Sequence, residues 1–463
     1  MPYEDELAGY EPLRRIAESD RVQELLRRQR IQDEREDRSS SSASLNQFSF
    51  DDLEGSAWQP DLVLAVDGSH HEEKVENGFP GAEVSYITVA SVLLDMEKVR
   101  ELDQHRPVNP VKFRETEEAA SVDSALPGCN IVVDDETSAR SSLRKLLYET
   151  LRDEQAFPGC ESLLDTYEAL LEHKPDTSHS QRCPHVRDRN CISESQEYER
   201  GNGVYTCPCH LERNLYSTDA LRIHERMAPA GSNGEIFGEI MQVLERLWIV
   251  HVLRSLEQKG WLSTLGRLAV VIDGPLAVFG QPAWISQAII QELSRLNEKA
   301  VRETGGHNIL MLGIEKSGLF VNHLEQLDTT EEGTEDFLPN REVFLIDDDY
   351  VKDKIIFSNS NKTYGKHTYF GRKFFYKADS GSLIVASLPF LNDYHQNMNH
   401  ANPDQFPRLK DALTLLDQLA SSRYPNSLAP LISAHAEAAI PLNLGEQILS
   451  EIAHKLLEEN HDD

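Results

Sequence analysis

Two aspartates far apart in the chain share one local setting: Asp67 in DLVLAVDGSH (61–70) and Asp273 in LAVVIDGPL (268–276). In each, an uncharged run of strand-favouring residues leads straight into Asp-Gly. Carboxylates carried on neighbouring strands can point into one space, where they repel one another unless a cation sits between them. Mg²⁺ and Mn²⁺ take hard oxygen ligands and keep positions open for water and phosphate. Two such ions can clamp the attacking and leaving oxygens of a phosphodiester. A lone Asp-Gly is a common turn former; two after similar strands shift the balance toward metal chemistry. A third carboxylate could come from the helix before Asp273, as Glu239 in FGEIMQ or Glu245 in QVLERLW. Each is an acid in an apolar stretch, where an unpaired charge is costly, and each could equally lie on a solvated face. Asp347, Asp348 and Asp349, after the run REVFLI, read as a solvated turn.

Three further groups of residues could carry chemistry. All six cysteines lie between Cys129 and Cys209, which fits a local metal site better than a disulfide framework. Cys183, Cys191, Cys207 and Cys209 could close a structural Zn²⁺ site, with His185 and His210 as substitutes. Their C-x7-C and C-x-C spacings equally suit unligated reduced cysteines. Residues 351–377 carry Lys352, Lys354, Lys362, Lys366, Arg372, Lys373 and Lys377 against one acid, Asp353, with Phe and Tyr interleaved. Cations can follow phosphates while aromatics stack on unpaired bases; a strand pair with lysines guarding an edge would look the same. This charge concentration marks the best DNA-facing stretch. Finally, His435 in LAPLISAHAEAAI reads as a packed or capping histidine, or beside carboxylates as a proton shuttle or metal ligand.

The elements that must position these groups follow from periodicity. Residues 61–70 and 82–97 predict an antiparallel hairpin. Residues 138–175 predict two helices broken at Phe157-Pro158-Gly159, and 217–227 a helix capped by Ser217. Residues 235–261 predict a long core helix. RLAVVIDG, the helix AWISQAIIQELSRLNEKAVRETGG and NILMLGIEKSG form a strand-helix-strand unit. REVFLIDDD, HTYFGRKFFYKA and SLIVASLPFL add strands, and the chain is helical from FPRLKDALTLLDQLA onward. The organisation predicted is a charged N-terminal helix (1–37), a Ser-rich linker (38–60), a catalytic domain (61–445) interrupted by a Cys-rich insertion (176–212), and a helical tail (446–463).

Composition bounds the setting. The chain has 463 residues, 39% of them hydrophobic and 27% charged, ordinary values for a globular protein. No apolar run reaches the roughly 20 residues of a membrane helix, and the N-terminal stretch lacks an apolar signal core, so a cytoplasmic protein without membrane attachment is expected. A net charge of −32 argues against a free-standing nucleic-acid binder, although a metal-dependent nuclease fed by a partner can be acidic overall.

Taken in order, these motifs resemble the NurA nucleases. The marks are the opening Asp67-Gly68-Ser69 hairpin strand, a helix with an inward Glu (Glu245) before the strand ending in Asp273, the strand ending near Lys316, and YPNSLAPLISAHAEA with Tyr424, Pro425 and His435. They span residues 61–440. The resemblance implies an α/β fold: an RNase H-like mixed sheet flanked by helices, here with a Cys-rich insertion and helical additions. It implies a Mn²⁺-dependent (or Mg²⁺-dependent) deoxyribonuclease with Asp67, Glu245, Asp273 and His435 at the metal, His435 alternatively in proton transfer, and Tyr424 positioning the site or the DNA. DNA would be held by Lys316, Lys362, Lys366, Arg372 and Lys373. It further implies homodimers, cleavage from DNA ends, and a HerA-type hexameric ATPase as partner in end processing or anti-phage defence. The alternatives are a non-catalytic subunit of a HerA-type complex and an RNase H-like enzyme acting on RNA.

Overall fold

The computed structural model describes residues 19–28, 45–55, 58–75, 81–97, 117–174, 183–186, 201–207, 213–228, 230–329, 337–420 and 438. The described part of the expected N-terminal helix is α1 (Asp20–Arg28).

Among the described residues, one mixed sheet of nine strands organises the chain. Its centre is built from the runs that read as strands: β2 (Leu62–Val75) and β3 (Ala82–Asp95) pair as the expected hairpin, and β4 (Glu117–Pro127) adds to β3. β7 (Leu268–Asp273) runs parallel to β2, and β8 (Leu310–Glu315) runs parallel to β7. The near-continuous apolar sequences LAVVID and LMLGIE suit parallel strands covered on both faces. β11 (Leu383–Pro389), β10 (Gly371–Lys377) and β9 (Glu342–Leu345) continue the sheet in antiparallel fashion. The far edge is β1 (Asn46–Ser49), paired with β9; residues 38–60 are therefore not all linker. A separate two-stranded ribbon joins β5 (Val204–Thr206) to β6 (Asn214–Tyr216).

Helices cover both faces. On one, α2 (Ala139–Asp153), α3 (Leu163–Leu171), α4 (Gly234–Gln258) and α5 (Ile285–Glu303) pack Leu143, Tyr167, Leu244 and Leu293 against Leu64, Val66 and Ile272. Further along the sheet, α6 (Leu319–Leu327) packs Phe320 with Phe344 and Phe375. On the other face α7 (Leu409–Leu419) packs Leu413 and Leu416 against Val63, Ala65 and Val271. α2 and α3 each start at a serine capping box, Ser138 with Ser141 and Ser162 with Asp165, which satisfies N–H groups a helix start would otherwise leave open. The alternation β7-α5-β8 is the strand-helix-strand unit read from sequence. The whole is the expected α/β arrangement, an RNase H-like mixed sheet between helices.

Residues 217–227 depart from expectation. They form two 3₁₀ turns, Ser217–Leu221 and Ile223–Arg226, and the first is capped by Tyr216 rather than Ser217. Arg222 between them is left-handed, at φ 60°. The cause is Asp219, whose carboxylate turns back to accept from the Tyr216 N–H and from Arg144.

His251 links α4 to the segment before α3 and gives the fold an acid-sensitive joint. It is fully buried. Its Nε2 accepts from the Ala156 N–H at 3.0 Å, and its Nδ1 lies 2.8 Å from Thr166 Oγ1, which itself donates to Glu161. Burial pushes its pKa down to about 4. The folded value lies below the unfolded one, so the stabilisation is complete above pH 6.5 and is lost as pH falls toward 4. About 3 kcal/mol should disappear over that window. Urea midpoints measured between pH 7 and pH 4 should show the fall, and His251→Gln should flatten it.

Candidate metal centre

Register, rather than strand ends, brings the two aspartates together. In the parallel pair of β2 and β7, Val66 stands opposite Ile272; the next residues on the two strands are Asp67 and Asp273. Partners in parallel strands point to the same side of a sheet. Asp67 is not at a strand end: β2 runs on to Val75 because the hairpin with β3 outlasts the pairing with β7. Only Asp273 closes its strand, and Gly274 then turns the chain at φ 80°.

The glycine after Asp67 has a different duty. Gly68 lies within β2, and a Cβ placed there would stand 2.6 Å from Glu245 Oε1 and 2.9 Å from Met241 Cγ. The glycine thus lets α4 bring the Glu245 carboxylate against the backbone beside Asp67. Gly68→Ala should cost about 1–3 kcal/mol through overpacking and displace Glu245. Thermal melts and cleavage rates measured together should both fall.

Glu245 is only 4% exposed. Burial, countered in part by Arg246 and reinforced by the charges of Asp67 and Asp273, pushes its pKa up to about 7. The three carboxylates are therefore near enough to repel, the condition in which a cation is favoured. Arg246 Nη1 donates to Glu245 Oε2 at 2.5 Å, while Nη2 donates to the carbonyls of Asp273 (3.0 Å) and Pro275 (3.2 Å). Lys316 Nζ lies 3.0 Å from Asp273 Oδ2. Among the described residues, no group of three or more His, Cys, Asp or Glu side chains is set to hold a metal ion as it stands; Glu245 is drawn to Arg246 and Asp273 to Lys316. The oxygen donors are nonetheless of the type that hard divalent cations take.

Glu239, the other candidate on α4, does structural work. It accepts from the Gln281 N–H at 2.8 Å and from Arg226 at 3.0 Å. Asp347 caps the turn Asp348–Tyr350, and Asp348 is buried against Lys352 at 2.6 Å, while Asp349 is exposed, so the turn expected here forms but is only partly solvated. Tyr424, His435, Cys191 and Cys209 lie outside the described residues. Ala438 is described and buried, and its carbonyl accepts from Ser69 Oγ at 2.6 Å, which seats it beside the Asp67-Gly68-Ser69 stretch.

The basic stretch divides. Lys362 and Lys366 are exposed. Arg372 and Lys373 are not DNA-facing as expected: β10 lies between β9 and β11, and all seven of its residues are buried. Arg372 donates to the carbonyls of Asn397 and His400. Lys373 pairs with Glu315 at 2.7 Å and stands 3.6 Å over the Phe320 ring. Lys377 likewise pairs with Asp328 at 2.8 Å. These lysines serve the interior rather than guard an edge.

Sequence reasoning missed Arg246, which ties α4 to the end of β7. Its signal was present: a second charge next to Glu245 in an otherwise apolar helix can be buried only if the two pair.

Asp67, Glu245 and Asp273 thus come together where β2 parts from β7, on a mixed sheet flanked by helices. The chain belongs to the NurA domain family, whose model matches residues 61–440. The NurA nuclease from Sulfolobus solfataricus is a similar solved structure, at 11% sequence identity and TM-score 0.30, covering 95% of this chain and 93% of that one. No curated protein matches.

Proposed function

We propose that this protein is a metal-dependent DNA nuclease that hydrolyses phosphodiester bonds, acting from DNA ends together with a HerA-type hexameric ATPase. Membership of the NurA domain family supports a nuclease. The observation that carries the reading is the level placement of Asp67 and Asp273 on adjacent parallel strands, with Glu245 brought against Gly68.

In this reading Asp67, Glu245 and Asp273 hold Mn²⁺ or Mg²⁺, with His435 as a further ligand or proton carrier and Tyr424 positioning the site or the DNA. The bound ion would supply charge neutralisation at the phosphate and an activated water. Arg246 orients Glu245 and fixes it to the end of β7. Lys316 neutralises Asp273. Lys362 and Lys366 are exposed cations suited to phosphates. The net charge of −32 fits a nuclease whose motor delivers the DNA. Homodimers, end processing and anti-phage defence follow from the family resemblance.

A second reading, a non-catalytic subunit of a HerA-type complex, is favoured by the pairing of Glu245 with Arg246 and of Asp273 with Lys316. Incubating end-labelled DNA and RNA of one sequence with Mn²⁺, with and without the ATPase, separates the readings. The nuclease reading expects DNA cleavage. RNA cleavage alone would identify the RNA-acting alternative, and no cleavage with the partner present would favour the assembly subunit.

A further inference from the structure

A cavity of about 250 Å³ lies behind the segment that leaves Asp273 and has no part in the reaction described above. Residues 363–371 form one of its walls. Two backbone hydrogen bonds tie that wall to the segment after Asp273: the Val278 N–H donates to the Thr368 carbonyl and the Phe370 N–H to the Leu276 carbonyl, each at 2.8 Å. In a second wall Lys373 pairs with Glu315, whose neighbour Lys316 pairs with Asp273. Cavity and carboxylates are thus joined through adjacent residues at the end of β8, whose Cα atoms stand about 3.8 Å apart. The lining is largely apolar and aromatic with a few polar groups, the make-up of a small-ligand site. The Tyr364 ring stands 5.9 Å from Phe320 and 5.5 Å from Tyr369. The buried Lys373 ammonium lies 3.6 Å from the centre of the Phe320 ring and 4.7 Å from that of Tyr369. Gln287, Gln396 and Asn399 add amide side chains, and the exposed Lys366 stands on the rim. The walls are tied to the fold: the Tyr364 N–H donates to Asp348 at 2.7 Å, the Tyr364 and Tyr369 hydroxyls are 3.0 Å apart, and Gly365, at φ 66°, leaves room for the Tyr369 ring.

We propose that this cavity takes one unpaired base from the end of a DNA strand, a proposal that rests on the nuclease reading for its substrate. Every base has a π-face that an aromatic wall can stack on, whatever the sequence. The amides and the Lys373–Glu315 pair can meet the donors and acceptors on a base edge. Lys366 suits the phosphate that follows. The volume falls below the roughly 300–1,000 Å³ of sites for drug-sized ligands, so it suits one base rather than a stack of them. Taking a base out of its pair costs least where the strand is already unpaired, so a frayed or overhanging end is the form of DNA that fits. Stacking also answers the net charge of −32, because it gives a strongly acidic chain a hold on DNA that does not depend on attraction to phosphate.

The test is binding by the full chain in EDTA, where no cleavage is needed. The probe is a single-stranded DNA oligonucleotide whose terminal base is the fluorescent analogue 2-aminopurine, which dims when it stacks. Wild type should quench it. Tyr364→Ala should weaken that binding by about 5- to 150-fold, the worth of one base–aromatic stack. Asn399→Trp, which fills the cavity from an exposed position, should do at least as much, and keeps the test open should Tyr364→Ala fail to fold. His400→Trp, exposed and outside the lining, should bind as wild type does. The deoxynucleoside monophosphate of 2-aminopurine should bind more weakly than the oligonucleotide; binding as tight or tighter would make this a free-nucleotide site and overturn the assignment to a strand. Cleavage of the same oligonucleotide with Mn²⁺ is measured separately. Quenching without cleavage would support the cavity and contradict the nuclease reading, whereas cleavage without quenching would overturn the cavity alone. Quenching unchanged in folded Tyr364→Ala and Asn399→Trp would also overturn it.

Discussion

Glu245→Gln is expected to reduce cleavage at least about 100-fold, beyond what changes around a metal ligand usually cost, while leaving the fold in place. Glu239→Gln should do the reverse. The amide oxygen at position 245 can still accept from Arg246 Nη1, and the repulsion from Asp67 and Asp273 that raises the Glu245 pKa disappears. Stability should therefore change little even as the third carboxylate is lost. Glu239 instead holds the Gln281 N–H, next to Gly280 at φ 77°, and the Arg226 guanidinium. Its amide should weaken those contacts and lower the melting temperature without touching the reaction. Initial rates and melts on the two variants give the comparison, and equal rate losses in both would remove the assignment of Glu245.

The second large effect is on stability. Asp219→Ala should destabilise the protein by about 3–5 kcal/mol, the usual cost of breaking a buried pair from one side. Arg144 is 3% exposed and Asp219 1% at their side chains, joined through two contacts of 2.6 Å. Burial works against the Asp219 charge, yet Arg144 holds its carboxyl below the usual range. Removing Asp219 takes from the buried guanidinium its two carboxylate contacts and frees the Tyr216 N–H. Because Arg144 also donates to the Asn214 carbonyl and lies over the Tyr216 ring, the β5–β6 ribbon should loosen first. Urea midpoints and hydrogen exchange at residues 213–219 would show both effects, and a midpoint unchanged from wild type would contradict the pairing.

The strands and the long helix were legible because their residues are buried as the patterns require. LVLAV and LAVVI are apolar throughout and became β2 and the central β7, and the α4 segment became a core helix. The two Asp-Gly pairs, alike in text, proved unlike in structure. Gly274 turns the chain, whereas Gly68 makes room for Glu245. Nothing local distinguishes them, because the difference lies in what packs on the strand. The basic stretch misled for the same reason. Lys373 and Lys377 look like surface cations until Glu315 and Asp328, distant in sequence, are seen to bury with them. Edge strand β1 escaped notice because NQFS is short and polar and is ordered by pairing with β9. The 3₁₀ turns at 217–226 depend on an Asp219–Arg144 contact that no helical period encodes.

The central claim is that carboxylates meeting where β2 parts from β7 support phosphodiester hydrolysis. Its most direct test is Mn²⁺-dependent cleavage of end-labelled linear DNA by wild type and Asp67→Ala, each with an added HerA-type ATPase and each verified as folded. Cleavage by the wild type that is absent from the folded variant is the predicted result. Equal cleavage by both would contradict the site, and absence of cleavage by either would contradict the activity.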